Sequence, residues 1–145
     1  MNQQSNILKE IIRLKVRFYE VDPLGIMWHG HYLKYFEDGR EAFGEKYGIS
    51  YLDIYNNGYV TPLISINCKY LKPLNYQDII LVETSFINVE AAKIYFKYRI
   101  LSENYKTVYT EGESIQVFLN KESRALQLTH PDFFIDWKKK MEYIK

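Results

Sequence analysis

Residues 11–19 alternate strictly, with Ile12, Leu14, Val16 and Phe18 on one side and Arg13, Lys15, Arg17 and Tyr19 on the other. A period of two sends every second side chain to the same face, so the segment predicts a strand with one face buried. Pro23 and Gly25 break the pattern between Glu20 and Met27, which reads as a loop. From His29 the period lengthens. Tyr32, Tyr35/Phe36, Gly39, Ala42/Phe43 and Lys46/Tyr47 recur at three- and four-residue steps, the spacing of one helical face. Glu37 is spaced to pair with Arg40 on that helix, and Gly48 is placed to close it as a C′ glycine. Gly39 in mid-helix costs about 1 kcal/mol relative to Ala. Close approach of another backbone would offset that cost, so the helix is expected to be wrapped rather than laid on a surface.

Four more strands follow a loop marked by Asn56-Asn57-Gly58. Ile64, Ile66, Cys68 and Tyr70 alternate with polar neighbours, as do Ile80, Val82, Thr84 and Phe86, then Ile94, Phe96, Tyr98 and Ile100; a last strand covers about 108–119. Turn signals separate them at Lys72-Pro73-Leu74-Asn75, around 88–92, and at Ser102-Glu103-Asn104. Connections this short imply antiparallel neighbours in a meander, an α+β order of strand, long helix and four strands. From Pro131 a short amphipathic helix is expected, its basic run Lys138–Lys140 on a solvated face. The whole reads as one domain over 1–145, with a core of about 10–120 and a helical tail of about 131–145. One helix cannot cover both faces of five strands, and a long bare edge is a liability, so a homo-oligomer is expected.

Composition narrows the partners. The 145 residues carry a formal net charge of +1, so no broad basic field points to nucleic acid or an anionic membrane. Cys68 is the single cysteine and reads as a small core hydrophobe in a reducing compartment. No apolar run approaches the roughly 20 residues of a membrane span. Met1–Asn6 lacks the features of a secretion signal, and the expected location is cytoplasmic. Aromatic residues make up 17% of the chain, which suits tyrosine-rich, half-exposed strand faces.

The chemistry gathers at the loop. Asp22-Pro23-Leu24-Gly25 sets a carboxylate on a short bend, and His29-Gly30-His31-Tyr32 follows at the helix start. Helix starts offer unpaired N–H groups and the positive end of the macrodipole. A carboxylate beside such donors can attack a carbonyl, or activate water against it, while the donors stabilise the oxyanion. The bland alternative makes Asp22 a turn residue before proline. His29 can act through its ring or its backbone amide. His29 and His31 stand two apart, which is not the i, i+4 pair that a helix offers a metal, so neither a metal site nor a cofactor is expected. Gly-x-Ser-x-Gly and Gly-rich phosphate loops are absent from the sequence.

The stretch from Val16 to Arg40 (VRFYEVDPLGIMWHGHYLKYFEDGR), with Cys68 to Asp78 (CKYLKPLNYQD), resembles the hotdog-fold acyl-CoA thioesterases of the 4-hydroxybenzoyl-CoA thioesterase type, over roughly residues 10 to 120. The resemblance implies a five-strand antiparallel sheet curled around a long central helix. It also implies subunits paired into dimers and often tetramers, with active sites between subunits. By match, Asp22 is the catalytic carboxylate, and the backbone N–H at His29 polarises the thioester carbonyl. His31 stands where relatives carry Asn or Ser, and it is expected to border the acyl pocket. Tyr32 matches the helix motif as a substrate-binding or structural residue. Lys93 stands where relatives present basic residues to the nucleotide of CoA, though it reads equally as a solvated strand-end lysine. An acyl chain running past Tyr32, Tyr35 or Phe36 would be short, branched or aromatic. The other readings are an enzyme acting on acyl-carrier-protein thioesters, a dehydratase-like enzyme with His29 as base, and a non-catalytic acyl-binding module.

Overall fold

The computed structural model describes residues 7–144; the N-terminal stretch on which the secretion-signal reading rests lies outside them. Strand β1 (Lys9–Lys15) leads through a single 3-10 turn (Phe18–Glu20) and a loop to helix α1 (His31–Tyr47). Then come α2 (Tyr51–Asn56), β2 (Tyr59–Val60), β3 (Leu63–Tyr70), β4 (Ile79–Ile87), β5 (Lys93–Ser102), β6 (Val108–Val117), β7 (Leu119–Asn120) and α3 (Asp132–Lys140). Five strands form one antiparallel sheet in the order β1-β4-β5-β6-β3, and β2 pairs with β7 in a separate ribbon.

Helix α1 meets every strand of that sheet. The Tyr47 hydroxyl donates to Lys9 O on β1 (2.8 Å), Gly39 faces Val82 and Thr84 on β4, Phe36 stacks on Tyr98 of β5 (4.5 Å), Gly112 of β6 abuts Phe36, and Tyr32 packs edge-on against Tyr70 of β3 (4.9 Å). A sheet that touches one helix from all five strands is curled around it, which is the hotdog architecture. The expected close approach at Gly39 is present, although side chains of β4 rather than backbone fill the space. Gly48 closes the helix with φ +85°, as its position in the sequence predicts.

Four expectations need correction. The strand predicted over 11–19 stops at Lys15, because the Glu20 carboxylate accepts the Arg17 N–H (2.8 Å) and pulls the chain into a turn. Phe18 is consequently 75% exposed, while Glu20 is buried. The meander holds only for β4-β5-β6; β3 crosses the end of the sheet and pairs with the far side of β6. Arg40 donates to the Tyr98 hydroxyl (3.1 Å) instead of pairing with Glu37. The loop before β2 contains α2, capped reciprocally by Ser50 and Asp53.

A fifth correction is Lys138, which is 2% exposed rather than solvated. Helix α3 closes the end of the sheet near the C-terminus of α1: Phe134 and Trp137 stack together and meet Phe86 edge-on, Phe134 lies at a tilt against Phe118, and the Trp137 indole N–H donates to Tyr47 O (2.7 Å). That packing draws in Lys138, whose ammonium donates to Val89 O (2.9 Å) and to His130 Nε2 (2.8 Å). Burial pushes the Lys138 ammonium down to about 8, and burial plus the Lys138 charge lowers His130.

Two predictions follow from this packing. Gly39→Ala gains about 1 kcal/mol of helix propensity. Its Cβ would meet Thr84 Oγ1 and approach Val82 Cγ1 to 3.0 Å. Overpacking of about 1–3 kcal/mol then wins, and urea denaturation should show a net loss of stability. In the unfolded chain Lys138 keeps its proton to about 10.5, and in the fold only to about 8. The unfolded state therefore binds more protons between those values, so stability rises with pH across that window. Thermal denaturation of Lys138→Met should lack this rise between pH 8 and 10.

Candidate active site

Asp22 sits in a small hairpin made by its own loop. Its N–H donates to Ile26 O (2.8 Å), and the Gly25 N–H donates back to Asp22 O (2.9 Å). Gly25 takes φ +81°, a conformation open to glycine at little cost. The link from β3 to β4, passing across the end of the sheet, supplies a further backbone layer. Met27 N–H donates to Leu74 O (2.7 Å), Tyr76 N–H donates to Gly25 O (3.1 Å), and Ile26 bridges Asn75. One carboxylate oxygen of Asp22, Oδ1, accepts the Leu24 N–H (2.8 Å), the turn role that its sequence context offers. Oδ2 has no protein partner among the described residues.

The helix begins at His31 with Gly30 as N-cap, two residues later than the period suggests. The peptide groups in front of it are fixed through their carbonyls: Trp28 O accepts the His31 N–H (3.0 Å), and His29 O accepts the Tyr70 hydroxyl (3.0 Å). In a trans peptide the N–H points opposite the C=O, so these bonds also aim the N–H groups of His29 and Gly30. Neither donates to an acceptor among the described residues. Tyr70 is the residue that sequence reasoning missed here. It reads as one more alternating strand position, and only the pairing of β3 beside α1 brings its hydroxyl to the loop. Burial and the Cys68 thiol push that hydroxyl up to about 12, so it stays a donor at neutral pH.

The remaining candidates divide. The His29 ring is exposed, lies against Trp28 (4.8 Å) and Tyr70 (6.4 Å), and has no hydrogen bond to orient it among the described residues. His31 packs edge-on against Trp28 (5.3 Å), and its Nδ1 is buried without a partner. Tyr32 is buried and accepts the Leu74 N–H (3.2 Å), so it anchors the link that holds the loop. Tyr35 and Phe36 are equally buried; the Tyr35 hydroxyl donates to Glu20 (2.7 Å), and burial with that carboxylate raises it well above the usual phenol range. These three rings belong to the core of the protomer. Lys93 opens β5 at the opposite end of the sheet from Asp22. Nine residues of extended strand separate it from Ser102 at the Asp22 end, roughly 30 Å at strand rise.

Around the loop the surface is apolar: Phe18, Leu24 (82% exposed), Trp28, Tyr70 and Tyr76 all face outward. An exposed apolar cluster beside a free carboxylate marks a ligand or subunit contact. Two hollows, of about 460 and 210 Å³, lie respectively on the outer face of the sheet and beside the start of α1, and neither is lined by Asp22 or His29. Among the described residues no cluster of His, Cys, Asp and Glu could hold a metal, and no helix is long and apolar enough to cross a membrane.

Comparison with known proteins agrees with this geometry. The thioesterase-like superfamily matches residues 16–140. The chain is 30% identical over 125 residues to a Bacillus subtilis (strain 168) protein named "Putative acyl-CoA thioesterase YneP", covering 86% of this chain and 88% of that one. Among solved structures, the DHNA-CoA thioesterase of Staphylococcus aureus superposes with a TM-score of 0.80 at 23% identity, covering 93% of this chain and 91% of that one. The 4-hydroxybenzoyl CoA thioesterase of Pseudomonas sp. strain CBS-3 gives 0.74 at 18% identity, over 89% and 98%. The chain therefore belongs to the thioesterase-like superfamily, as a thioester hydrolase on a hotdog scaffold.

Proposed function

We propose that this protein is an acyl-CoA thioesterase of the 4-hydroxybenzoyl-CoA thioesterase type, with Asp22 as its catalytic carboxylate. The observation that carries the reading is the free Oδ2 of Asp22, on a loop that is braced by the β3–β4 link and runs on into the fixed and unclaimed N–H groups of His29 and Gly30. A thioester carbonyl directed at those amides develops its negative charge where two donors already point. Asp22 then attacks the carbonyl carbon to give a mixed anhydride, or takes a proton from the water that attacks it. In both routes the C–S bond breaks and CoA leaves as the thiol after protonation; in the first, water then cleaves the anhydride and releases the Asp22 carboxylate, so that in both the acyl group ends as the carboxylic acid. His29 acts through its amide, with its ring lying at a tilt against Trp28 as part of the rim. A dehydratase would need the His29 ring as an oriented base, and no partner orients it among the described residues.

The protomer is half of the assembly in this reading. Strand β3 is an edge, with Ile66 and Cys68 half-buried against the core and Leu63, Ile64 and Tyr70 exposed, and Leu71 is exposed next to them. Pairing two such edges removes the unpaired backbone and covers that apolar surface. It also gives Asp22 a second wall, and it is only across a subunit boundary that Lys93 reaches an Asp22 site. The acyl group meets Trp28, His31 and Tyr70, a rim suited to short or aromatic groups rather than long straight chains.

Free-thiol release from acetyl-, hexanoyl-, benzoyl- and palmitoyl-CoA tests the reading. Wild-type protein should prefer the shorter or aromatic esters. Asp22→Asn should lower kcat by at least about a hundredfold, roughly 2.7 kcal/mol of transition-state stabilisation, while its melting temperature barely moves. Thiol release retained by Asp22→Asn would remove Asp22 from the chemistry. Light scattering at micromolar protein should give a dimer or a dimer of dimers; a monomer would overturn the paired edge.

A further inference from the structure

Three cations stand on the approach to the Asp22 loop and on the first turn of α1. A hollow of about 210 Å³ opens between the end of β1 and the start of α1, with Lys15, Arg17, Tyr19, Lys34 and Asp38 on its walls and Glu20 among its lining. Lys15, Arg17 and Lys34 are exposed and have no ion pair among the described residues. The Glu20 charge is turned inward: it is 6% exposed, and Oε1 accepts both the Arg17 N–H (2.8 Å) and the Tyr35 hydroxyl (2.7 Å). Tyr19 is 68% exposed, and the Arg17 guanidinium donates to its hydroxyl (2.6 Å) and lies 5.9 Å from its ring centroid. An open aromatic face beside three unpaired cations offers stacking to a nucleobase and charge-assisted hydrogen bonds to phosphates.

The hollow is also tied to the chemistry. Glu20 precedes Asp22 by two residues, and its carbonyl accepts the Trp28 N–H (3.0 Å), so the wall of the hollow and the reactive loop form one braced unit. We infer that this hollow receives the phosphorylated adenosine of CoA, with Tyr19 under the base and Lys15, Arg17 and Lys34 on the phosphates. The inference rests on the acyl-CoA reading above and assigns the nucleotide to the same protomer that supplies Asp22, in place of Lys93. Asp38, the exposed carboxylate in the wall, offsets part of the positive field. Exposed charges of this kind are screened by salt, so binding is salt-sensitive.

Two measurements on the whole protein test it. The first is calorimetric titration with adenosine 3′,5′-bisphosphate at low and high salt, for wild type and for Lys15→Ala/Arg17→Ala/Lys34→Ala. The second is kcat/KM for one acyl group carried on CoA and on pantetheine. Wild type should bind the bisphosphate, more weakly as salt rises. The triple variant should lose that binding and lower the CoA-to-pantetheine ratio of kcat/KM by about tenfold, the effect of some 1.4 kcal/mol of lost binding. Lys34→Glu, a single reversal on an exposed helix position, repeats both readings if the triple variant does not fold. Bisphosphate bound equally by wild type and variant, or a ratio unmoved by the substitutions, overturns the inference. If wild type hydrolyses neither ester, the thioesterase reading falls, and the titration alone decides the nucleotide site.

Discussion

Seating one long helix inside one curled sheet is the constraint on which the rest of the molecule depends. Gly39 lets α1 lie against Val82 and Thr84, and Gly112 leaves room on β6 for the Phe36 ring, which stacks on Tyr98. Side chains at those two glycines would hold helix and sheet apart, because interiors are packed too closely to absorb extra atoms. Once the helix is seated, its direction is fixed. Tyr32 lies by Tyr70 and Leu74 at one end of the sheet, and Tyr47 lies by Lys9 and Trp137 at the other. The reactive loop is thereby committed to the end where β3 crosses to β4.

That crossing gives the loop its rigidity. A surface loop with few backbone bonds would leave Asp22 mobile, and an attacking carboxylate loses much of its advantage when its orientation is not held. Here the loop folds on itself and then bonds through Met27, Ile26 and Gly25 to the segment after β3. Leu74, at the centre of that segment, is buried and donates its N–H to Tyr32. The site is thus supported from the core outward, while its own rim stays apolar and open.

The opposite end and the outer face carry different solutions to burying polarity. Helix α3 brings Lys138 inside without a carboxylate partner among the described residues, and the cation is satisfied by a carbonyl and an imidazole. On the outer face, Arg99 makes a two-pronged pair with Glu83 across β4 and β5 (2.8 and 3.1 Å), and Lys9 adds a longer contact to the same carboxylate at 4.0 Å. Such a charged ladder suits a sheet face turned to water, whereas the inner face of the same strands is lined by Ile80, Val82, Phe86, Ile94 and Phe96.

Much of the fold was legible in the sequence because periodicity is a local property. The alternation at 80–86 and 94–100, the helical spacing from Tyr32 to Tyr47 and the closing glycine at 48 each follow from side-chain direction along one element. Asp22 stood out for a similar reason: Pro23, Gly25 and the helix start lie within a few residues of it. What pairs with what is not local. That β3 joins β6 rather than β4, that Phe18 turns outward while Glu20 turns in, and that Lys138 is buried all follow from partners distant in the chain. The same holds for the site. Tyr70 reaches the His29 carbonyl from 41 residues away, and the β3–β4 link braces a loop that precedes it by a whole helix. Sequence marked the carboxylate; only the folded sheet decided how its loop is held and where the amides at the helix start are aimed, because those directions are fixed by hydrogen bonds that form when the strands are in place.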